Sequence, residues 1–168
     1  MEAGPAIAGY ACLFGVVDLG RDMVLPGAFR ESLARRGPSG VRLLYQHDPA
    51  EPIGVWTELA EDARGLYVRG RLSRNARRAR ECAALVAEGA LDGLSIGFKA
   101  VEAASDPRTR VRRLSRIDLW EVSIVTFPMQ PGARVARGAP DDPGADPARA
   151  LREAAARLRQ AARTPVNL

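Results

Sequence analysis

The chain has 168 residues, 46% of them hydrophobic and 27% charged, proportions of a globular fold rather than of a disordered or membrane-spanning chain. Its net charge of +5 is almost wholly arginine, because Lys99 is the sole lysine; this permits an acidic partner, although a solvated basic surface has the same composition. Cys12 and Cys82 form no CxxC pair and the chain has one histidine, His47, so a four-ligand zinc site is excluded, no metal or cofactor is expected, and a reduced cytoplasmic setting is the default.

The opening Met1-Glu2-Ala3-Gly4-Pro5 lacks the basic and apolar regions of a secretory leader, so none is expected. Ile7 to Phe14 is apolar with small residues and reads as a strand. After a turn-rich stretch, Met23 to Leu25 reads as a short strand stopped by Pro26-Gly27. Phe29 and Leu33, four apart, predict a short helix over Ala28 to Arg35. Val41 to Gln46 is a compact strand leading into His47. Ile53 to Leu59 and Gly65 to Leu72 read as a meander joined by an acidic turn. From Ala76 to Glu88 the period changes: Ala79, Cys82, Ala83 and Val86 share a helical face, and Gly89 is placed to cap it. Arg77, Arg78 and Arg80 in its first turns oppose the helix dipole, which points to some contact of their own or to a tolerated exposed face. Leu94 to Val101 reads as a strand, Ser105 to Arg113 as a polar, arginine-rich loop, and Ile117 to Phe127 as the most apolar strand of the chain. On that last strand a period of two predicts Ile117, Leu119, Glu121, Ser123, Val125 and Phe127 on one face and Trp120, Val122 and Ile124 on the other.

Residues 138–147 read as a Gly/Pro/Asp linker, and residues 148–168 as an Arg/Ala-rich helix and tail whose apolar seam, Leu151 and Leu158, is too thin to fold alone. The body, residues 1–137, has many strands and two helices, which predicts an α+β barrel or sandwich.

The chemistry-bearing residues fall into two segments. Ser95 lies in Gly93-Leu94-Ser95-Ile96-Gly97-Phe98, where small neighbours leave room for a substrate backbone. His47 ends the strand before Asp48 and is the one imidazole that could take a serine proton. Glu121, a carboxylate within an apolar strand, is the preferred third member because burial there demands a partner; Asp118 and then Asp48 are the alternatives. Amides around Ser95 or in the loop from Arg108 to Arg113 are candidates for an oxyanion hole. Each residue has an ordinary reading as well: Ser95 as a small core residue, His47 as a turn residue, Glu121 as a partner for an arginine. Cys82, on the packed face of a helix, is a poor nucleophile. The arginine clusters lack the interleaved aromatics of a single-strand nucleic-acid platform, so nucleic acid is not favoured as a partner.

Six segments in order carry a family resemblance: Gly9-Tyr10-Ala11 with Phe14-Gly15-Val16-Val17-Asp18; Val24-Leu25-Pro26-Gly27-Ala28-Phe29; Leu44-Tyr45-Gln46-His47-Asp48 with Pro52-Ile53-Gly54; Gly65-Leu66-Tyr67-Val68; Gly89 to Phe98; and Ile117 to Pro128. Together they resemble the HK97-type prohead proteases of tailed phages, prophages and gene transfer agents. The resemblance implies a β-barrel flanked by helices, similar to the herpesvirus assembly proteases. It implies a serine endopeptidase that cuts scaffolding segments from the major capsid protein, and often itself, inside the immature capsid in the bacterial cytoplasm. Its partners would be the capsid protein and its scaffolding segment, with self-association and no membrane. His47 matches the family's histidine and Ser95 its nucleophile. The herpesvirus relatives use a second histidine that this chain lacks, so a carboxylate fills that role or the site works as a dyad. A silent assembly scaffold or chaperone on the same fold is the alternative function. The tail beyond residue 137 lies outside the resemblance and is expected to dock the enzyme to the capsid interior or scaffold, or to be trimmed.

Overall fold

The computed structural model describes residues 4–136. The predicted linker, helix and tail over 138–168 fall outside them. Seven strands form one mixed sheet: β1 (Ala6–Leu13), β2 (Asp22–Val24), β3 (Arg42–Tyr45), β4 (Asp48–Glu61), β5 (Gly65–Leu72), β6 (Gly93–Ser105) and β7 (Arg112–Val125). Two helices, α1 (Arg30–Arg36) and α2 (Arg77–Glu88), and a 3-10 turn at Pro38–Gly40 complete the body. The strands run β1-β5-β4-β3-β7-β2, with β6 along the other edge of β7. Arg134 and Val135 then bridge the two ends, Val135 to Gly9 on β1 and Arg134 to Gly93 on β6. The sheet therefore curls into an α+β barrel, as predicted. No helix among the described residues is long and apolar enough to cross a membrane.

The core is aliphatic, as the shortage of aromatics requires. Leu43, Ile53, Leu66, Val68, Leu94, Leu114, Ile117, Leu119, Val122 and Ile124 are buried around Phe29. The α1 helix is tied to β7 through Ser32, whose hydroxyl accepts the Leu119 amide at 2.9 Å. Gly89 ends α2 with φ of 76°, the left-handed cap that a glycine adopts without steric cost.

Three expectations need correction. The β4 strand begins at Asp48 rather than Ile53; Pro49 and Pro52 lie where its pairing with β3 is irregular, between Leu43 and Tyr45, so the ladder tolerates residues without an amide proton. The strands on either side of the arginine-rich loop are longer than expected: β6 runs past Val101 to Ser105 and β7 begins at Arg112 rather than Ile117, so the loop narrows to residues 106–111, tied by the Asp106 carboxylate to the amides of Arg108 and Thr109. Residues 101–105 and 112–113, which flank the loop, are exposed and leave no apolar period to detect. Finally, β7 does not keep one alternation along its length. Gly97 pairs with Glu121 but Phe98 pairs with Leu119, so Trp120 is an extra residue in a bulge. The bulge puts Ile117 and Leu119 in the same core as Val122 and Ile124, and frees Glu121 and Ser123 for the opposite face.

Candidate active site

The β3 strand runs parallel to β7, with Tyr45 beside Ile124. Tyr45 also pairs with Asp48 across the hairpin, so Gln46 and His47 form its two-residue loop. Both take the left-handed conformation, φ 53° and 60°, as a hairpin of this length prefers. Asn-Gly usually fills such a loop; a Gln-His pair costs roughly 1–2 kcal/mol per residue in this region. The strand ends of β7 hold it in place. The Gln46 amide donates to the Ile124 carbonyl at 3.0 Å, its side-chain nitrogen donates to Thr126 Oγ1 at 2.7 Å, and the Thr126 amide returns a bond to Gln46 Oε1 at 3.3 Å. The His47 amide donates to Ser123 Oγ at 3.0 Å.

This turn lays the His47 ring over β7. Its Nδ1 lies 2.5 Å from Glu121 Oε1. A carboxylate can only accept, so Nδ1 carries the proton and Nε2 is left with its lone pair. The other carboxylate oxygen, Oε2, accepts the Ser123 hydroxyl at 2.6 Å. Glu121 is 12% exposed and His47 41% exposed, so a sheltered anion supports a ring that still reaches solvent. The hydrogen bond to Glu121 raises the His47 pKa above its ordinary 6.5; partial burial opposes the shift and the Glu121 charge adds to it.

Ser95 sits on β6 directly opposite Ser123, and Gly97 directly opposite Glu121. Residues paired in this way point to one face of the sheet, with β-carbons about 4.5–5.5 Å apart. His47, Ser95 and Glu121 are thus gathered at one end of the β6–β7 pair. Ser95 stands beside Ser123, which bonds both Glu121 and the His47 amide; among the described residues no direct hydrogen bond joins Ser95 to His47. The flanking glycines make room for the protein itself, not for a substrate backbone. A β-carbon on Gly97 would lie 2.0 Å from Glu121 Oε1, and one on Gly93 would meet Val125 O at 2.4 Å and the Pro128 ring at 2.8 Å.

The other expected residues serve elsewhere. Asp118 takes Arg36 Nε at 3.0 Å, Arg36 Nη2 at 2.9 Å, the Trp120 indole at 2.8 Å, and Arg35. The Arg36 hydrogen bond, with those of its neighbours, holds its carboxyl well below the usual carboxylate range. It anchors α1. Asp48 accepts the Ala50 amide at 2.8 Å and caps its own turn. The turn after Ser105 stands ten residues along β6 from Ser95, roughly 30 Å at strand spacing, too far to supply an oxyanion hole. Cys82 is fully buried, and burial pushes its thiol up to about 11. Arg78 spans Glu81 and Glu51 and lies over the Tyr45 ring, while Arg80 donates to the carbonyls of Arg74 and Asn75; the arginines of α2 support the local fold. Among the described residues no group of His, Cys, Asp and Glu could hold a metal ion. Ser123 and Gln46 were not singled out from the sequence. The signal for Ser123 was there, two residues from Glu121 and hence on its face.

Residues 1–141 match the family described as caudovirus prohead serine protease. The chain belongs to that family. It is 38% identical over 133 residues to the prohead protease of Enterobacteria phage HK97, covering 76% of this chain and 57% of that protein. It is 30% identical over 86 residues to the prohead protease of Escherichia phage T5, covering 51% of this chain and 40% of that one. The chain thus spans about half the length of these relatives. Among solved structures its fold is similar to the bacteriophage T4 capsid assembly protease, with a TM-score of 0.61 at 14% identity over 74% of this chain and 82% of that one. It is also similar to the KSHV protease bound to a hexapeptide phosphonate inhibitor, with a TM-score of 0.54 at 14% identity over 77% and 63%. The prohead protease family and the herpesvirus protease thus share this fold.

Proposed function

We propose that this member of the prohead protease family is a serine endopeptidase that removes scaffolding segments from the major capsid protein, and acts on itself, within the immature capsid. The observation that carries the reading is the His47–Glu121 pair, 2.5 Å apart, over the face that bears Ser95. In the proposed reaction His47 Nε2 takes the Ser95 proton as Oγ attacks the scissile carbonyl, whose electron pair moves onto its oxygen. Collapse breaks the C–N bond, and the amine leaves with the proton from His47. Water then repeats the sequence on the acyl-serine: His47 takes its proton, the hydroxide attacks, and the proton returns to Ser95 as the acid product departs. Glu121 keeps Nδ1 protonated throughout and stabilises the imidazolium. The reaction as proposed uses no cofactor.

The test is co-expression with the major capsid protein, followed by N-terminal sequencing of the assembled subunit. The wild-type chain is expected to yield a shortened subunit and Ser95→Ala a full-length one. A shortened subunit with Ser95→Ala overturns the nucleophile. A full-length subunit in normal shells with the wild-type chain leaves the alternative, a silent assembly scaffold.

A further inference from the structure

Ser123 is fully buried and uses its hydroxyl in both directions. It donates to Glu121 Oε2 at 2.6 Å and accepts the His47 amide at 3.0 Å. A serine hydroxyl has one proton to give, and here it is committed to the carboxylate, so Ser123 is no second nucleophile. Its two partners are the two groups that must keep a fixed relation to each other. One is the anion that orients the imidazole. The other is the backbone of the imidazole's own residue, in a left-handed turn that the local chain does not favour. Ser123 therefore spans a short closed circuit: hydroxyl to Glu121 Oε2, Glu121 Oε1 to His47 Nδ1, and the His47 amide back to the hydroxyl.

We infer that Ser123 is a positioning residue of the proposed site, fixing the Glu121 carboxylate and the His47 turn in one geometry. This rests on the serine-protease reading. Glu121 is attached through rotatable bonds; with Oε2 released, the carboxylate can turn away from Nδ1 and the turn loses one of its ties to β7. A loss of the donor alone would make the carboxylate a stronger acceptor and lift the His47 titration further. Loss of position does the reverse, so the direction of the change separates the two.

The single histidine makes the test direct, because the imidazole Hε1 resonance needs no assignment. The full chain, Ser123→Ala, Glu121→Gln and the double variant are titrated by proton NMR. Each is also timed for labelling by a serine-directed fluorophosphonate, with Ser95→Ala as reference. Ser123→Ala is expected to shift the His47 midpoint down towards 6.5. It is expected to slow labelling by roughly ten- to a hundredfold, the scale of one lost charge-assisted hydrogen bond. The double variant is expected to be no slower than Glu121→Gln alone, since a residue acting through Glu121 has nothing left to act on. An unchanged or raised midpoint in Ser123→Ala, or a full extra loss in the double variant, overturns the inference. Labelling that persists in Ser95→Ala overturns the serine reading instead, and the titration still decides Ser123.

Discussion

Gly97→Ala tests the site by adding one carbon. The new β-carbon would stand 2.0 Å from Glu121 Oε1, 2.7 Å from its Cδ and 2.9 Å from its Cγ. Real β-carbons do not approach so closely, so the carboxylate must leave. The backbone at Gly97 is ordinary extended strand, which alanine adopts freely, and the displaced group is the end of a flexible side chain. The cost in stability should therefore stay at the low end of overpacking, about 1–2 kcal/mol. The cost in chemistry should be larger. A hydrogen bond to a charged group contributes about 1.5–3 kcal/mol; His47 is 41% exposed, so screening leaves the lower figure, on the order of tenfold in rate. Loss of orientation adds to it, since a misplacement of about 1 Å can cost ~10²-fold. We expect kcat/KM or fluorophosphonate labelling to fall about 10²–10³-fold while the chain stays folded by circular dichroism. The His47 midpoint should fall towards 6.5 in the same protein. A folded Gly97→Ala protein with wild-type rate and an unmoved midpoint would refute the assignment of Glu121 as the orienting group.

Further outcomes follow from the same geometry. Because His47 must be neutral to accept a proton and its pKa is raised, the acidic limb of the rate profile should lie above 6.5, and Glu121→Gln should bring it down; a profile that does not move separates the limb from this pair. The raised pKa also stabilises the folded chain below the unfolded value near 6.5, and that contribution is lost as pH rises through the folded value. The urea midpoint of wild type should therefore exceed that of Glu121→Gln by more at pH ~5.5 than at pH ~8.5, by under about 1 kcal/mol after screening. Asp118→Asn should loosen α1 and lower stability by on the order of 1 kcal/mol, with labelling rate and His47 titration unchanged, as thermal melts and NMR would show. Burial holds the Cys12 thiol up to about 12 and that of Cys82 up to about 11, so iodoacetamide at pH ~8 should modify neither until the chain is unfolded, read by mass spectrometry.

The elements that were legible in the sequence are those whose packing leaves a period. Gly65 to Leu72, with Leu66, Val68, Gly70 and Leu72 buried on one face, matches β5 to the residue. The apolar face of α2 and its glycine cap were equally plain. What could not be read depends on pairing across the chain. The bulge at Trp120 is set by the register against Gly97 and Phe98, so alternation along β7 alone put Leu119 and Glu121 on one face. The hairpin arm beyond Lys99 carries no apolar stripe on its β6 side, where residues 101–105 are exposed, and packs on its β7 side only through Leu114 and Ile117. In the site, the odd carboxylate in an apolar strand signalled Glu121 through the cost of burying it. The function of Gly97 was not readable. A glycine beside a serine says that something comes close, and only the opposite strand says that the visitor is the protein's own carboxylate.

The clasp formed by residues 133–135 has a consequence for cutting. Ala133 takes the Leu94 amide at 2.9 Å, one residue before Ser95, and the Ala136 amide reaches back to Ala8 at 2.8 Å. Severing the backbone beyond Ala136 leaves this latch closed, whereas a nick ahead of Ala133 cuts the covalent tie of both barrel margins beside the strand of the proposed nucleophile. One peptide bond's location would thus decide between trimming the molecule and disarming it.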